Sequence, residues 1–194
     1  MPEVKELLVE QLQDLLHAET QLVKAIPTMA SAAHHPKLRE AFEKHLQQTQ
    51  MQVERLNQAF ALLGERAEPK TCRGMLGLIE EGQETIEESD SKDEMAADLA
   101  LAAAAQKVEH YEISGYGTAR TLALQLNERE VARLLSSSLG EEESADFLLT
   151  EISKPILQEM LAGEFSTRKT GAAGARTQQQ PSPKPRGGQK TRTA

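Results

Sequence analysis

Glu109 and Glu112 stand three residues apart in the stretch Gln106-Lys107-Val108-Glu109-His110-Tyr111-Glu112-Ile113-Ser114-Gly115-Tyr116, inside a long alanine-rich segment. That spacing places both carboxylates on one face of a helix. The same stripe carries Ala102, Ala105, Tyr116 and Ala119, so it is expected to face a core. Two acids in a core stripe are costly unless a cation, a proton or a hydrogen bond compensates them. The chemistry to look for is cation binding, which needs further acids brought to the same height by other helices.

Three other segments supply candidates. Residues 3–33 place Leu8, Leu12, Leu15, Glu19, Leu22, Ile26 and Met29 at alternating steps of three and four, an amphipathic helix whose seam is interrupted by one acid, Glu19. Residues 36–63 repeat the spacing with Leu38, Phe42, His45 or Leu46, Thr49, Val53, Leu56, Phe60 and Leu63. The middle turns of that segment are polar, with His45, Gln48 and Gln52 along one side. A last helix, beginning near Asn127, carries Val131, Leu135, Leu139, Glu142, Asp146 and Leu149 on its stripe. Of the run Glu141-Glu142-Glu143, one or two members can point inward.

The punctuation between these segments sets the architecture. His34-His35-Pro36 breaks the first helix, and Pro36 suits the first position of the next. Gly64 stops the second helix. A connection from Glu65 to Asp90 follows, with Pro69 and a short helix in which Met75, Leu78, Ile79 and Ile86 are the packing residues. Ser91-Lys92-Asp93-Glu94 has the form of a capping box for the alanine-rich helix, and Asn127-Glu128-Arg129-Glu130 looks like a second cap. Pro155 predicts either a kink or an end and restart in the last helix. Two antiparallel hairpins joined by a long crossover make an all-α four-helix bundle.

In such a bundle Glu19, the His45/Gln48/Gln52 group, Glu109 with Glu112, and Glu142 with Asp146 meet at mid-height. Inward carboxylates at mid-bundle are how helical bundles hold two metal ions. Oxygen-rich donors suit Fe, Mn or Mg, and redox chemistry favours the first two. His34 and His35 fall in a turn, His17 lies two residues from Glu19 and so on another face, and His110 is turned about 100° from Glu109. None of these four is expected to be a primary ligand, whereas His45 stands between an edge residue and a group supporting the ligands.

Composition agrees. Aromatic residues make up 3% of the 194, and a single cysteine, Cys72, excludes an intramolecular disulfide. No signal-peptide pattern or membrane-spanning run is present, so a cytoplasmic protein without membrane association is expected. Seven basic residues follow Gly163 against one acid, Glu164, which leaves 15 basic and 29 acidic residues and a net charge of −14 on the first 163 positions. The division is thus a bundle over 1–162 and a disordered basic tail over 163–194. The tail, without interleaved aromatics, can contact nucleic acid non-specifically or serve solubility. No nucleophile-base arrangement, P-loop or dinucleotide fingerprint is found.

Ala18-Glu19-Thr20-Gln21-Leu22, Ala41-Phe42-Glu43-Lys44-His45-Leu46, Val53-Glu54-Arg55-Leu56, Lys70-Thr71-Cys72, Gly77-Leu78-Ile79-Glu80-Glu81-Gly82 and, above all, Ala104 through Ile113 with Tyr116-Gly117-Thr118 resemble the YciE/YciF family of ferritin-like bacterial proteins. The resemblance covers residues 7–156. It implies a ferritin-like bundle, a dinuclear metal site, a link to stress response and a homodimer or higher homo-oligomer, with no firmly established activity. The expected ligand set, read from the core stripes, is Glu19, Gln48, Glu109, Glu112, Glu142 and Asp146, supported by His45, Gln52 and Tyr116. Two departures stand out. The family usually has Glu where this chain has Gln48, and the positions three beyond Gln48 and Glu142 are Met51 and Ala145, where ferritin-like sites commonly place histidine. One tight metal, or two held unequally, is therefore expected. The alternative is a non-enzymatic structural or oligomeric protein with a degenerate metal site.

Overall fold

The computed structural model describes residues 2–175, with side chains for all of these except Asp90 and 163–175. Five helices and no strand occur among the described residues: α1 (Pro2–Ala32), α2 (Pro36–Leu63), α3 (Arg73–Glu87), α4 (Glu94–Gln125) and α5 (Arg129–Ala175), with a 3-10 turn at Ser89–Ser91. α1, α2, α4 and α5 form a ferritin-like four-helix bundle, and α3 rides on the crossover. Lys5, at the start of α1, donates to the Leu63 carbonyl at the end of α2 (3.2 Å), so these helices run antiparallel. Near the middle of α4, Gln106 donates to Asp146 Oδ1 (3.0 Å) and Thr150 Oγ1 (2.9 Å) of α5.

The helix boundaries follow local chemistry. Pro36 opens α2 behind His35, whose ring nitrogen accepts from the Lys37 N–H. Gly64, at φ 71°, closes it, with its N–H donated to Ala61 and that of Glu65 donated to Phe60. Asn127 plays the same part after α4. At φ 61° it takes the left-handed conformation, donates its N–H to Leu124, and lets Glu128 donate to Ala123. It ends α4 rather than capping α5. The cap of α4 is Asp93, not Ser91: its Oδ1 accepts from the Met95 N–H at 3.0 Å, and Ser91 belongs to the 3-10 turn. α5 is continuous through Pro155. The bundle unit runs to Gln158. α5 continues past Gly163 to Ala175, and the part of the expected basic tail beyond 175 lies outside the described residues.

Two apolar clusters divide the interior lengthwise. One gathers Leu8, Leu12 and Leu15 of α1 with Leu56 and Phe60 of α2, Ala119 of α4 and Leu135 of α5. The other gathers Leu22 and Ile26 with Phe42, Leu101, Val108, Leu149 and Met75 of α3. Each fully buried leucine contributes about 1.5–3 kcal/mol. Between the two clusters lies a polar layer, and the apolar packing on both sides fixes the height and rotation of every helix that contributes to it. Two details differ from the periodicity. Gln52 is buried where Val53 was expected, and Ala30 replaces Met29 at the end of the α1 seam. The α1–α2 turn is tied to α4 by buried Asp98, which accepts from the backbone N–H groups of His34 (2.8 Å) and His35 (2.7 Å).

Candidate metal centre

The polar layer is built from four helices. α1 supplies Glu19, α2 His45, Thr49 and Gln52, α4 Glu109 and Glu112, and α5 Ser138 and Glu142, all of them buried. His45, Glu109, Glu112 and Glu142 form a tight group, each offering one ligand atom with all four atoms within 4.8 Å of one another. His45 Nε2 lies 3.4 Å from Glu109 Oε1 and 3.5 Å from Glu142 Oε2. Glu109 and Glu112 reach the group because they lie three apart on the buried face of α4, as their spacing requires.

Few of these polar atoms have protein partners. Tyr116 donates its hydroxyl to Glu19 Oε1, and Gln52 donates its amide to Glu142 Oε1. Without a partner among the described residues are Glu19 Oε2, His45 Nδ1, Gln52 Oε1, Glu109 Oε2, both oxygens of Glu112, and Glu142 Oε2. Buried polar atoms are almost always paired. So many orphans in one layer, most of them carboxylate oxygens, are what a cation-binding site presents when its protein atoms alone are considered.

The electrostatics point the same way. Burial pushes the Glu109 carboxyl from 4.5 up to about 8, and the charges of Glu19 and Asp146 add to the rise. Burial also lifts Glu112 well above the carboxylate range, and Glu19, Glu142 and Glu109 repel its charge further. Glu19 is raised by burial and by Glu142, against the hydrogen bond from Tyr116. Glu142 is raised by burial, with His45 opposing. The layer must therefore hold either protons or a compensating cation. The donor set, three carboxylates and one imidazole with free lone pairs, fits a divalent transition metal.

The remaining residues of the ligand set inferred from sequence are placed differently. Glu19 is buried beside the group, close enough to repel both Glu112 and Glu142. Gln48 is half-buried and lines a cavity of about 50 Å³ that opens beside His45 and Glu109, with Ala145 on its wall. Asp146 is half-buried and accepts from Gln106, with His110 Nε2 at 3.4 Å. Gln52 and Tyr116 each bond one carboxylate of the layer, and His45 stands among the clustered ligand atoms. Of the other histidines, His17 accepts from the Cys72 N–H at 3.2 Å and His110 is largely exposed.

Two contacts have no single-residue signal in the sequence. Arg55 grips Glu141 with two hydrogen bonds, of 2.6 and 2.8 Å. Tyr111 donates to Asp14 Oδ2 at 2.7 Å and lies 2.9 Å from Cys72 Sγ, joining α4, α1 and the start of α3. Nothing local indicated either contact.

Comparison with known proteins agrees with this architecture. Residues 3–162 match the family model described as a domain of unknown function, DUF892. The chain is 41% identical to protein YciF of Escherichia coli strain K12 over 154 residues, which cover 79% of this chain and 92% of YciF. The crystal structure of the E. coli stress protein YciF superimposes with a TM-score of 0.77 at 40% identity, covering 81% of this chain and 99% of that one. YcfI of Rhodopseudomonas palustris gives 0.72 at 38% identity, covering 76% and 92%. A bundle whose sequence, over almost its whole length, and whose helix arrangement both match YciF belongs to the DUF892 family, in which YciF is its relative.

Proposed function

We propose that this protein is a ferritin-like, metal-binding stress-response protein that holds Fe or Mn through His45, Glu109, Glu112 and Glu142, with Glu19 and Gln48 completing an unequal second position. The observation that carries this reading is the convergence of unpartnered buried carboxylate oxygens on one imidazole between two dry apolar clusters. Bound Fe or Mn supplies one-electron redox chemistry and neutralises the layer. The chain's own residues hold the ligands: Gln52 fixes one oxygen of Glu142, Tyr116 fixes one oxygen of Glu19, and the leucines above and below close the layer off along the bundle. The small cavity beside His45 and Glu109 suits a water or a reactant of similar size. With Gln48 neutral, turnover of a small oxidant is weak in this reading.

The stress role rests on the likeness to YciF, a protein named for stress. A homodimer is part of the proposal, supported by exposed Phe147, Leu148 and Met51 on α5 and α2. A cytoplasmic setting and electrostatic contact of the basic tail with nucleic acid are also proposed. No helix among the described residues is long and apolar enough to cross a membrane.

Crystals soaked in Fe(II) or Mn(II), measured at the metal absorption edge, test the site. An anomalous peak among Glu109, Glu112, Glu142 and His45 is expected, and peaks confined to the protein surface would overturn the reading.

A further inference from the structure

Glu142 reaches the clustered ligand atoms through one oxygen only. Its Oε1 is taken by the Gln52 amide, while Oε2 is free and 3.5 Å from His45 Nε2. Gln52 is completely buried, and its Nε2 also donates to Glu141 Oε2 at 3.0 Å. An amide can face a carboxylate with either end. The NH2 end is selected here because Glu141 is held as a second acceptor beside it, and Glu141 is held there by Arg55. The guanidinium donates 2.6 and 2.8 Å bonds to both Glu141 oxygens and a longer one, 3.4 Å, to buried Ser138. With the amide reversed, Gln52 Oε1 would face Glu142 Oε1, acceptor against acceptor.

We infer that Arg55 and Glu141 are positioning residues for the metal centre, acting through Gln52 to aim the free oxygen of Glu142 at the ion. Arg55 also compensates the Glu141 carboxylate, which would otherwise repel the layer from its edge. The relay joins α2 to α5 at the height of the ligands, so it sets the distance between His45 and Glu142. Neither Arg55 nor Glu141 belongs to the clustered ligand group. The inference rests on the metal-binding reading above.

Titration of metal-free full-length protein with Mn(II), by calorimetry at one pH, tests it on wild type, Arg55→Met, Arg55→Lys, Glu141→Leu and Lys107→Met. The last breaks an exposed 2.6 Å pair with Glu81 and serves as a control. Arg55→Met and Glu141→Leu are expected to weaken Mn(II) binding by about 10- to 100-fold, the usual cost of losing a group that orients a ligand. Arg55→Lys keeps the charge without the two-pronged grip, so incomplete recovery is expected. Should Arg55→Met fail to fold by circular dichroism, Glu141→Leu decides from the other side of the relay. Unchanged affinity in the variants, full recovery by lysine, or an equal loss in Lys107→Met would each overturn the relay alone. No binding by wild type would overturn the metal reading itself, and the relay with it.

Discussion

Replacing Glu109 and Glu112 together by glutamine should flatten the pH dependence of stability of the metal-free protein and stabilise it at alkaline pH. The folded state raises the pKa of Glu109 from 4.5 to about 8 and that of Glu112 well above the carboxylate range. The folded protein therefore binds these protons more tightly than the unfolded chain does. For a carboxyl raised in this way, full stability is present below the unfolded value near 4.5 and is lost as pH rises through the folded value. Each proton retained by the fold costs about 1.4 kcal/mol of stability per pH unit across that window. Glutamine imitates the protonated acid and does not titrate. Urea unfolding at pH 5, 7 and 9 without metal should show wild type weakening steadily and the variant much less. Equal slopes in the two proteins would mean that these carboxylates are already compensated.

Adding Fe(II) or Mn(II) should raise the melting temperature by several degrees, and more strongly at pH 8 than at pH 5.5. Ligand that binds only the native state stabilises it by about 2.7 kcal/mol at one hundred times Kd. For a chain of this size that corresponds to roughly 5–10 °C. The pH dependence follows because the metal must displace the protons that the layer otherwise holds. Scanning fluorimetry of chelator-treated protein with and without Mn(II) measures it. A melting temperature indifferent to metal at both pH values is the outcome expected of a bundle whose acids simply keep their protons, and it would favour a purely structural role.

Much of this centre was legible in the sequence, because a helix repeats its faces. Glu19, Glu109, Glu112 and Glu142 each interrupt an apolar stripe at mid-helix, and the leucines on either side fix both rotation and height. Gly64 and Pro36 marked helix ends through backbone preferences that need no tertiary partner. The second helix was harder to read. From His45 to Gln52 its inner face is polar, so no run of apolar residues chooses between Gln52 and Val53, and packing against α5 makes that choice. The long-range contacts could not be read at all. Arg55 with Glu141, and Tyr111 with Asp14 and Cys72, join residues far apart in the chain, and no periodicity links them. Asn127 misled for a related reason: the residue types that start a helix also tolerate the left-handed turn that ends one.

Position 48 carries the main chemical consequence of this sequence. Gln48 lines the cavity beside His45 and Glu109, where a carboxylate would add charge and a stronger ligand. With an amide there and Asp146 turned to Gln106, the buried negative charge available to a metal is concentrated on Glu109, Glu112 and Glu142, with Glu19 alongside. Affinity is accordingly expected to be uneven between two positions rather than shared.

The most direct test of the account is the metal content of protein purified without chelator, measured by mass spectrometry for wild type and for Glu109→Ala/Glu112→Ala. Fe or Mn is expected to be bound in a near-integral ratio to wild type and lost from the variant. Equal and negligible metal in both would contradict it.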